Sequence, residues 1–294
     1  MTLTPTRDLM AAAQAAGTGI GAFNVIQLET AEALVAGAEA AGLPVILQIS
    51  ENCVTYHRGL EPLALATLAI ARSARVPVAV HLDHAEDPEL AFAAVDLGFG
   101  SVMYDGAALD FDDNVATTTR VAAYAQERGV FVEAELGKIG GKDGAHAPGV
   151  RTNPVEAAAF VAATGVDALA VAVGSSHAMT QRSAALDLNL IATLKSALDV
   201  PLVLHGSSGV SDHTLAAAIQ AGMTKINVST HLNNLSTRAV RLYLEHNPSV
   251  VDPRKYLRAG RAAIEPETAR LLTLFAAGGR AGSSVPTTSN GPVG

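Results

Sequence analysis

The feature that most constrains this 294-residue chain is a repeat of pattern rather than of letters. A short apolar or β-branched run is followed by turn residues and then by an alanine-rich stretch with helical spacing. The runs fall at 19–25, 44–50, 77–83, 101–104, 130–135, 167–173, 201–205 and 223–228. The helical stretches fall at 28–41, 60–75, 87–97, 112–128, 154–164, 186–198, 211–221 and 231–246. Strands joined by helical crossovers are parallel, and parallel strands covered on both faces read as unbroken apolar runs. VPVAV (76–80), ALAVAV (168–173) and VPLVL (200–204) are such runs. An open doubly wound sheet and a (β/α)8 barrel share this alternation. Eight evenly spaced units in a chain of this length favour the barrel.

Local signals agree with these boundaries. Asp87-Pro88 and Asn153-Pro154 place a capping side chain before a proline at the first helical position, and Ser211 can cap the helix after the seventh strand. Gly42, Gly98, Gly129, Gly165 and Gly222 stand where helices should stop. A helix near 5–16 is expected to plug the barrel bottom, and 253–275 reads as an added C-terminal helix. The expected organisation is one domain over 1–277 and a disordered tail over 278–294, rich in Gly, Ser, Thr and Pro. Apolar residues make up 49% of the chain but aromatics only 4%, so the core must be built from Ala, Val, Leu and Ile.

A net charge of −8 argues against nucleic acid or an anionic membrane as a partner, because both demand a basic surface. It does not exclude a small anionic substrate, since a few backbone N–H groups at a helix start bind phosphate on an acidic protein. Cys53 is the one cysteine, which excludes an internal disulfide and a thiolate metal cluster within the chain. Met1 to Ala16 lacks a secretory apolar segment, and no run reaches about 18 apolar residues. A cytoplasmic setting is expected.

In a barrel the strand C-termini are where chemistry gathers. Here strand three ends in His81-Leu82-Asp83-His84, strand five in Glu133-Ala134-Glu135, and strand six runs into Gly174-Ser175-Ser176-His177. Strand seven ends in His205-Gly206-Ser207-Ser208-Gly209 and strand eight in Asn227. Three histidines at strand mouths, His84, His177 and His205, match a catalytic zinc site with three protein ligands and an open position. Asp83 is placed as a general acid/base or as a partner orienting a histidine, and His81 as packing beside the site. Glu135 is a candidate accessory ligand, whereas Glu133, on the same strand face, reads as readily as a structural ion pair. His57, His146, His213, His231 and His246 fall in expected loops or helices and read as surface residues. Gly174-Ser175, Gly206-Ser207-Ser208 and Asn227-Val228-Ser229-Thr230 put small donors at the ends of strands six to eight, a usual phosphate site in barrels. Residues 137–153 form a connection longer than usual, glycine-rich at its start, of the kind that closes over a substrate.

HLDH (81–84), SVMYDG (101–106), EAELGKIGG (133–141), TGVDALAVAVGSSH (164–177), LVLHGSSG (202–209), KINVST (225–230) and DPRKYL (252–257) follow one another in this order. In that order they resemble the class II, metal-dependent fructose-bisphosphate and tagatose-bisphosphate aldolases, over a span from Ala22-Phe23-Asn24 to about Ile264. The resemblance implies that His84, His177 and His205 are zinc ligands and that Glu135 lies near an alternative metal position. It implies that Asp83 serves the C4 hydroxyl of a ketose phosphate and that Asn227 contacts the enediolate. It also implies that Asn24, Ser50 and the glycine-serine turns line the substrate and phosphate site, that a monovalent cation has a place beside the zinc, and that the chain forms a homo-oligomer. The implied reaction, a step of carbohydrate metabolism such as glycolysis, splits by default fructose 1,6-bisphosphate into dihydroxyacetone phosphate and glyceraldehyde 3-phosphate.

Three positions depart from the family pattern. Lys142-Asp143-Gly144 stands where the loop commonly has Gln or Glu followed by Glu and Asp, so Asp143 is the candidate C3 proton shuttle with one methylene fewer. Ser229 replaces the common Asp or Ala, and Asn233 replaces the common Arg or Lys. These leave the sugar and its distal phosphate open. Tagatose-bisphosphate or another ketose phosphate is the alternative substrate. A metal-dependent hydrolase and a non-catalytic sugar-phosphate-binding paralogue are the alternative functions.

Overall fold

A computed structural model describes residues 2–136, 150–176, 182 and 184–278. The strands are β1 (Ile20–Asn24), β2 (Val45–Ser50), β3 (Val78–Ala85), β4 (Ser101–Tyr104), β5 (Phe131–Leu136), β6 (Ala168–Val171), β7 (Leu202–Leu204) and β8 (Met223–Val228). They close in sequence order, every neighbouring pair parallel, with β8 returning to β1 through Ala22 beside Asn227. This is the (β/α)8 barrel, and the open sheet is excluded.

The helices are α1 (Thr6–Ala16), α2 (Leu28–Ala41), α3 (Glu51–His57), α4 (Glu61–Ser73), α5 (Pro88–Asp96), α6 (Phe111–Gln126), α7 (Pro154–Thr164), α8 (Leu188–Ala197), α9 (Asp212–Ala221), α10 (Thr230–His246) and α11 (Pro253–Ala277). The expected caps form: Asp87 accepts from the Glu89 N–H at 2.9 Å, Asn153 from Val155 at 2.8 Å, and Ser211 from Thr214 at 3.2 Å. Gly165 ends α7 with φ 65°, the left-handed turn that a side chain would strain. α3 was not expected. Ser50 starts it, its hydroxyl accepting the Cys53 N–H at 3.3 Å at the very end of β2. None of the helices, among the described residues, is long and apolar enough to cross a membrane.

Alternation along the strands separates two cores. Outward side chains such as Leu47, Val80, Val132 and Leu204 pack under the helices. Inward ones, among them Ile20, Ile46, Ala79, Phe131 and Val203, form a second cluster closed from below by Leu9, Met10 and Ala13 of α1. α1 is therefore the expected plug. Its Thr6 hydroxyl also meets Ser101 at 2.8 Å inside the barrel. α11 lies outside the ring, against α2 and α10. The tail beyond Gly278, expected to be disordered, lies outside the described residues.

Candidate active site

Above the apolar floor, the inward positions of the strands turn polar while staying buried. Gln48, His81, Asp83, Glu133, Glu135, His205, Lys225 and Asn227 all lie inside the barrel, and none is more than 6% exposed. The strand periodicity explains most of the set: Gln48, His81, Asp83, Glu133, Glu135 and His205 each follow an apolar residue of the inner cluster by two or four positions.

His84 breaks that periodicity. On a regular β3 it would share the outward face of Val80 and Leu82, buried under the helices. Its backbone instead takes φ 51°, and the pairing of β3 with β4 slips between Leu82 and Ala85. A bulge of this kind re-aims a side chain, at a backbone cost of about 1–3 kcal/mol for a non-glycine residue. The consequence is that neighbouring residues Asp83 and His84 both reach the mouth. β3 accordingly runs on to Ala85, past its expected end at Asp83.

There the His84 imidazole stacks edge-on against that of His205, with ring centroids 4.5 Å apart. His84 Nδ1 lies 2.7 Å from Asp105 Oδ2 and 3.6 Å from Glu135 Oε2, and His205 Nδ1 is 3.6 Å from the same Glu135 oxygen. Ligand atoms of Asp83, His84 and His205 lie within 4.8 Å of one another, as do those of His84, Asp105 and Glu135. Burial works against a charge on His84, yet Asp83, the bond to Asp105 and Glu135 outweigh it and raise its pKa to about 9. The surroundings thus call for a positive charge. Two imidazoles and three carboxylates at this spacing fit a divalent cation, with the carboxylate on His84 in the position that orients a ligating histidine.

Asp83 is held by three amides. Asn24 and Gln48 donate to Oδ2 at 3.2 and 3.1 Å, and Asn227 donates to Oδ1 at 3.2 Å. Gln48 also donates to Asn24 Oδ1 at 2.8 Å, which locks the orientation of the set. Beside it opens a cavity of about 170 Å³ lined by Asn24, Ser50, Asp83, His84, Ser208 and Ser229, among others.

The serines of the expected phosphate cradle hold the loops rather than point freely outward. Ser207 donates to the Asn227 carbonyl, and Ser208 accepts from the N–H groups of His231 at 3.1 Å and Ser229 at 3.4 Å. The Ser175 hydroxyl is buried with no hydrogen-bond partner among the described residues. Gly206 has φ 66°, and a Cβ there would lie 2.6 Å from the Ser176 carbonyl; a Cβ on Gly174, φ 117°, would strike the Ala185 carbonyl. Glycine at 206 lets the loop after β7 touch the loop after β6, and glycine at 174 lets the loop after β6 fold back on itself. Ser229 and Thr230 form the start of α10, whose N-terminal end opens on the cavity.

Sequence reasoning picked out most of these residues, but His177 and Asp143 lie outside the described residues. It missed Asp105, Gln48 and Lys225. Asp105 was visible as the residue closing β4 in SVMYDG, and Gln48 as the inward neighbour of Ser50 two positions along β2. Glu133, set aside at first, does make an ion pair, with Lys225 Nζ at 2.7 Å, but its other oxygen meets His205 Nε2 at 3.0 Å. His231 is not a plain surface residue either: it is half-buried and its Nε2 meets Glu267 of α11 at 2.7 Å.

The profile of the class II fructose-bisphosphate aldolases matches residues 4–280. Among solved structures, the YdjI aldolase from Escherichia coli K12 is 31% identical, with 93% of this chain and 97% of that one covered and a TM-score of 0.81. A candidate fructose-1,6-bisphosphate aldolase from Coccidioides immitis is 29% identical over 93% and 98% of the two chains, again with a TM-score of 0.81. A fructose-bisphosphate aldolase from Campylobacter jejuni, 22% identical over 92% and 93%, shares the fold at a TM-score of 0.75.

Proposed function

The chain belongs to the class II fructose-bisphosphate aldolase family, and from that premise we propose that it is a zinc-dependent lyase cleaving a ketose 1-phosphate between C3 and C4. The observation that carries the reading is the meeting of His84, His205, Glu135 and Asp83 at one mouth of the barrel, with a cavity of about 170 Å³ beside it.

His84 and His205, completed by His177, would hold the metal, and Glu135 offers an accessory position. A Zn²⁺ held by these residues would supply Lewis-acid stabilisation of negative charge on the oxygens next to the breaking bond. Asp83 accepts the proton of the C4 hydroxyl. As that O–H bond breaks, C4–O becomes the aldehyde carbonyl, the C3–C4 bond breaks, and its electron pair passes to C3 as the enediolate of dihydroxyacetone phosphate. Asn227, bonded to Asp83 through its Nδ2, keeps its Oδ1 without a partner among the described residues, an acceptor for a substrate hydroxyl next to the breaking bond. Asp143 is assigned the return of a proton to C3. The phosphate is received by backbone N–H groups of the turns at Gly174-Ser175 and Gly206 to Ser208 and of Thr230 at the start of α10, where the helix dipole favours an anion.

Ser229 and Asn233 bear on the choice of sugar. Asn233 Nδ2 donates to Ser229 Oγ at 3.4 Å, a neutral contact where the family commonly has Arg or Lys at the first position and Asp or Ala at the second. Fructose 1,6-bisphosphate is the default substrate, tagatose 1,6-bisphosphate and ketoses lacking a distal phosphate the alternatives. A coupled assay for dihydroxyacetone phosphate across these ketoses, with zinc supplied, should find one substrate whose cleavage stops on chelation and returns with metal. Cleavage that survives complete metal removal would overturn the proposal, and release of inorganic phosphate without carbon–carbon cleavage would point to a hydrolase.

A further inference from the structure

Beneath the metal-binding mouth runs a hydrogen-bonded chain that the reaction as described does not use. Lys225 Nζ, 1% exposed in the barrel interior, lies 2.7 Å from Glu133 Oε2 and 3.2 Å from His81 Nε2. Glu133 Oε1 lies 3.0 Å from His205 Nε2. On the other side, His81 Nδ1 meets Ser101 Oγ at 2.8 Å, and Ser101 meets Thr6 of α1 at 2.8 Å.

An ammonium has donors and no acceptor, so Lys225 fixes the direction of every bond around it. His81 must accept at Nε2 and therefore carries its proton on Nδ1, toward Ser101. Glu133 accepts from Lys225 at one oxygen, and that bond aims its other oxygen, an acceptor too, at His205. His205 must then donate from Nε2, which leaves the lone pair on Nδ1. That nitrogen is the one facing Glu135, His84 and the mouth.

We infer that Lys225 is a positioning residue for the metal centre: acting through Glu133, it sets the tautomer in which His205 presents Nδ1 as a ligand. The inference rests on the reading of His205 as a metal ligand. It also accounts for a lysine in a barrel interior, where an apolar side chain would fill the same space with no charge to compensate.

The relay makes a prediction of order that a space-filling role does not. In Glu133→Gln, Lys225 still needs an acceptor and takes the amide oxygen, which turns the amide NH₂ toward His205. Nε2 must then accept and Nδ1 carries the proton, the wrong tautomer for binding. Adding Lys225→Met frees the amide to turn over and offer its oxygen to His205. Zinc affinity, measured by competition with a chromophoric chelator on metal-free protein, is therefore expected to fall about 10–100-fold in Glu133→Gln. It should recover at least several-fold in Glu133→Gln/Lys225→Met. ¹⁵N shifts of labelled histidine should move His205 from the Nε2–H to the Nδ1–H form in the single variant only. A double variant binding zinc no better than Glu133→Gln, or a single variant matching wild type, overturns the inference while leaving the metal site standing. Wild-type protein that takes up no zinc would overturn the metal site itself and the inference with it. Both variants remove charge without adding volume, and if Glu133→Gln does not fold, Lys225→Met alone must still weaken zinc binding at least several-fold or the inference fails.

Discussion

At the scale of single residues, the site is a contest for Asp83. Its carboxylate takes three amide hydrogen bonds yet lies within 4.8 Å of the ligand atoms of two histidines, so it has the geometry of a proton acceptor and of a metal ligand at once. The two roles separate on substitution. As the group that serves the C4 hydroxyl, Asp83→Ala should lower kcat by at least about 10²-fold, the usual range of acid/base groups, with zinc content unchanged. Turnover and elemental analysis of the same preparation read both quantities. Loss of zinc together with turnover would make Asp83 a ligand, and retained turnover would remove it from the mechanism. The buried Cys53 does not compete for such a role, because burial raises its thiol to about 11 and keeps it protonated.

At the scale of elements, α11 is tied to the site by charge as well as by packing. Glu267 on α11 binds Arg270 and the His231 imidazole, while the His231 N–H holds Ser208 in the cradle. Arg270 reaches on to Asp212 at the start of α9, and Asp212 also takes Arg182 from the loop after β6. Burial alone would raise both carboxyls, but the hydrogen bonds from Arg270 and His231 to Glu267, and from Arg270 and Arg182 to Asp212, hold their pKa values below the ordinary range. Depressed folded-state values mean that this stabilisation is fully present above the unfolded carboxyl pKa near 4, and is lost as pH falls through the lower folded values. Arg270→Ala should therefore lower the melting temperature by a few degrees at neutral pH, since partly exposed pairs each contribute about 1 kcal/mol or less. The difference from wild type should shrink as pH falls below about 4. A difference that stays constant to low pH would mean that Arg270 acts by packing alone. The same elements show what a sequence can and cannot disclose. Strands, caps and barrel closure were legible because they follow from periodicity and from Gly, Pro and Asn at fixed offsets. The left-handed backbone at His84 was not, since alternation sends that side chain outward and only the slip between β3 and β4 turns it back. Asp105 and Gln48 were passed over because their value depends on which strands stand beside theirs. Lys225 was passed over because a charged residue inside a strand gives no sign of the carboxylate 92 positions away that receives it.

At the scale of the whole molecule, the question is whether the metal site supports the barrel or the barrel supports the site. The closed sheet has no free edge, its outer core is continuous under the helices, and the inner floor is sealed by α1. None of these packings passes through the mouth. The carboxylates there have partial compensation without a cation, for Lys225 pairs with Glu133 and His84, raised to about 9, is protonated at neutral pH. Removing zinc leaves part of its charge replaced by the proton on His84, and leaves the strands paired. The metal-free chain should accordingly keep its far-ultraviolet circular dichroism and melt in one cooperative step. A ligand present at 100 times its Kd adds about 2.7 kcal/mol to the native state, and about 2–4 °C accompanies each kcal/mol in domains somewhat smaller than this one. Zinc in that excess should thus raise the melting temperature by several degrees without sharpening the transition. A chelated chain with a broad, non-cooperative melt would reverse the dependence, with the cation organising the strand ends instead of finding them already in place.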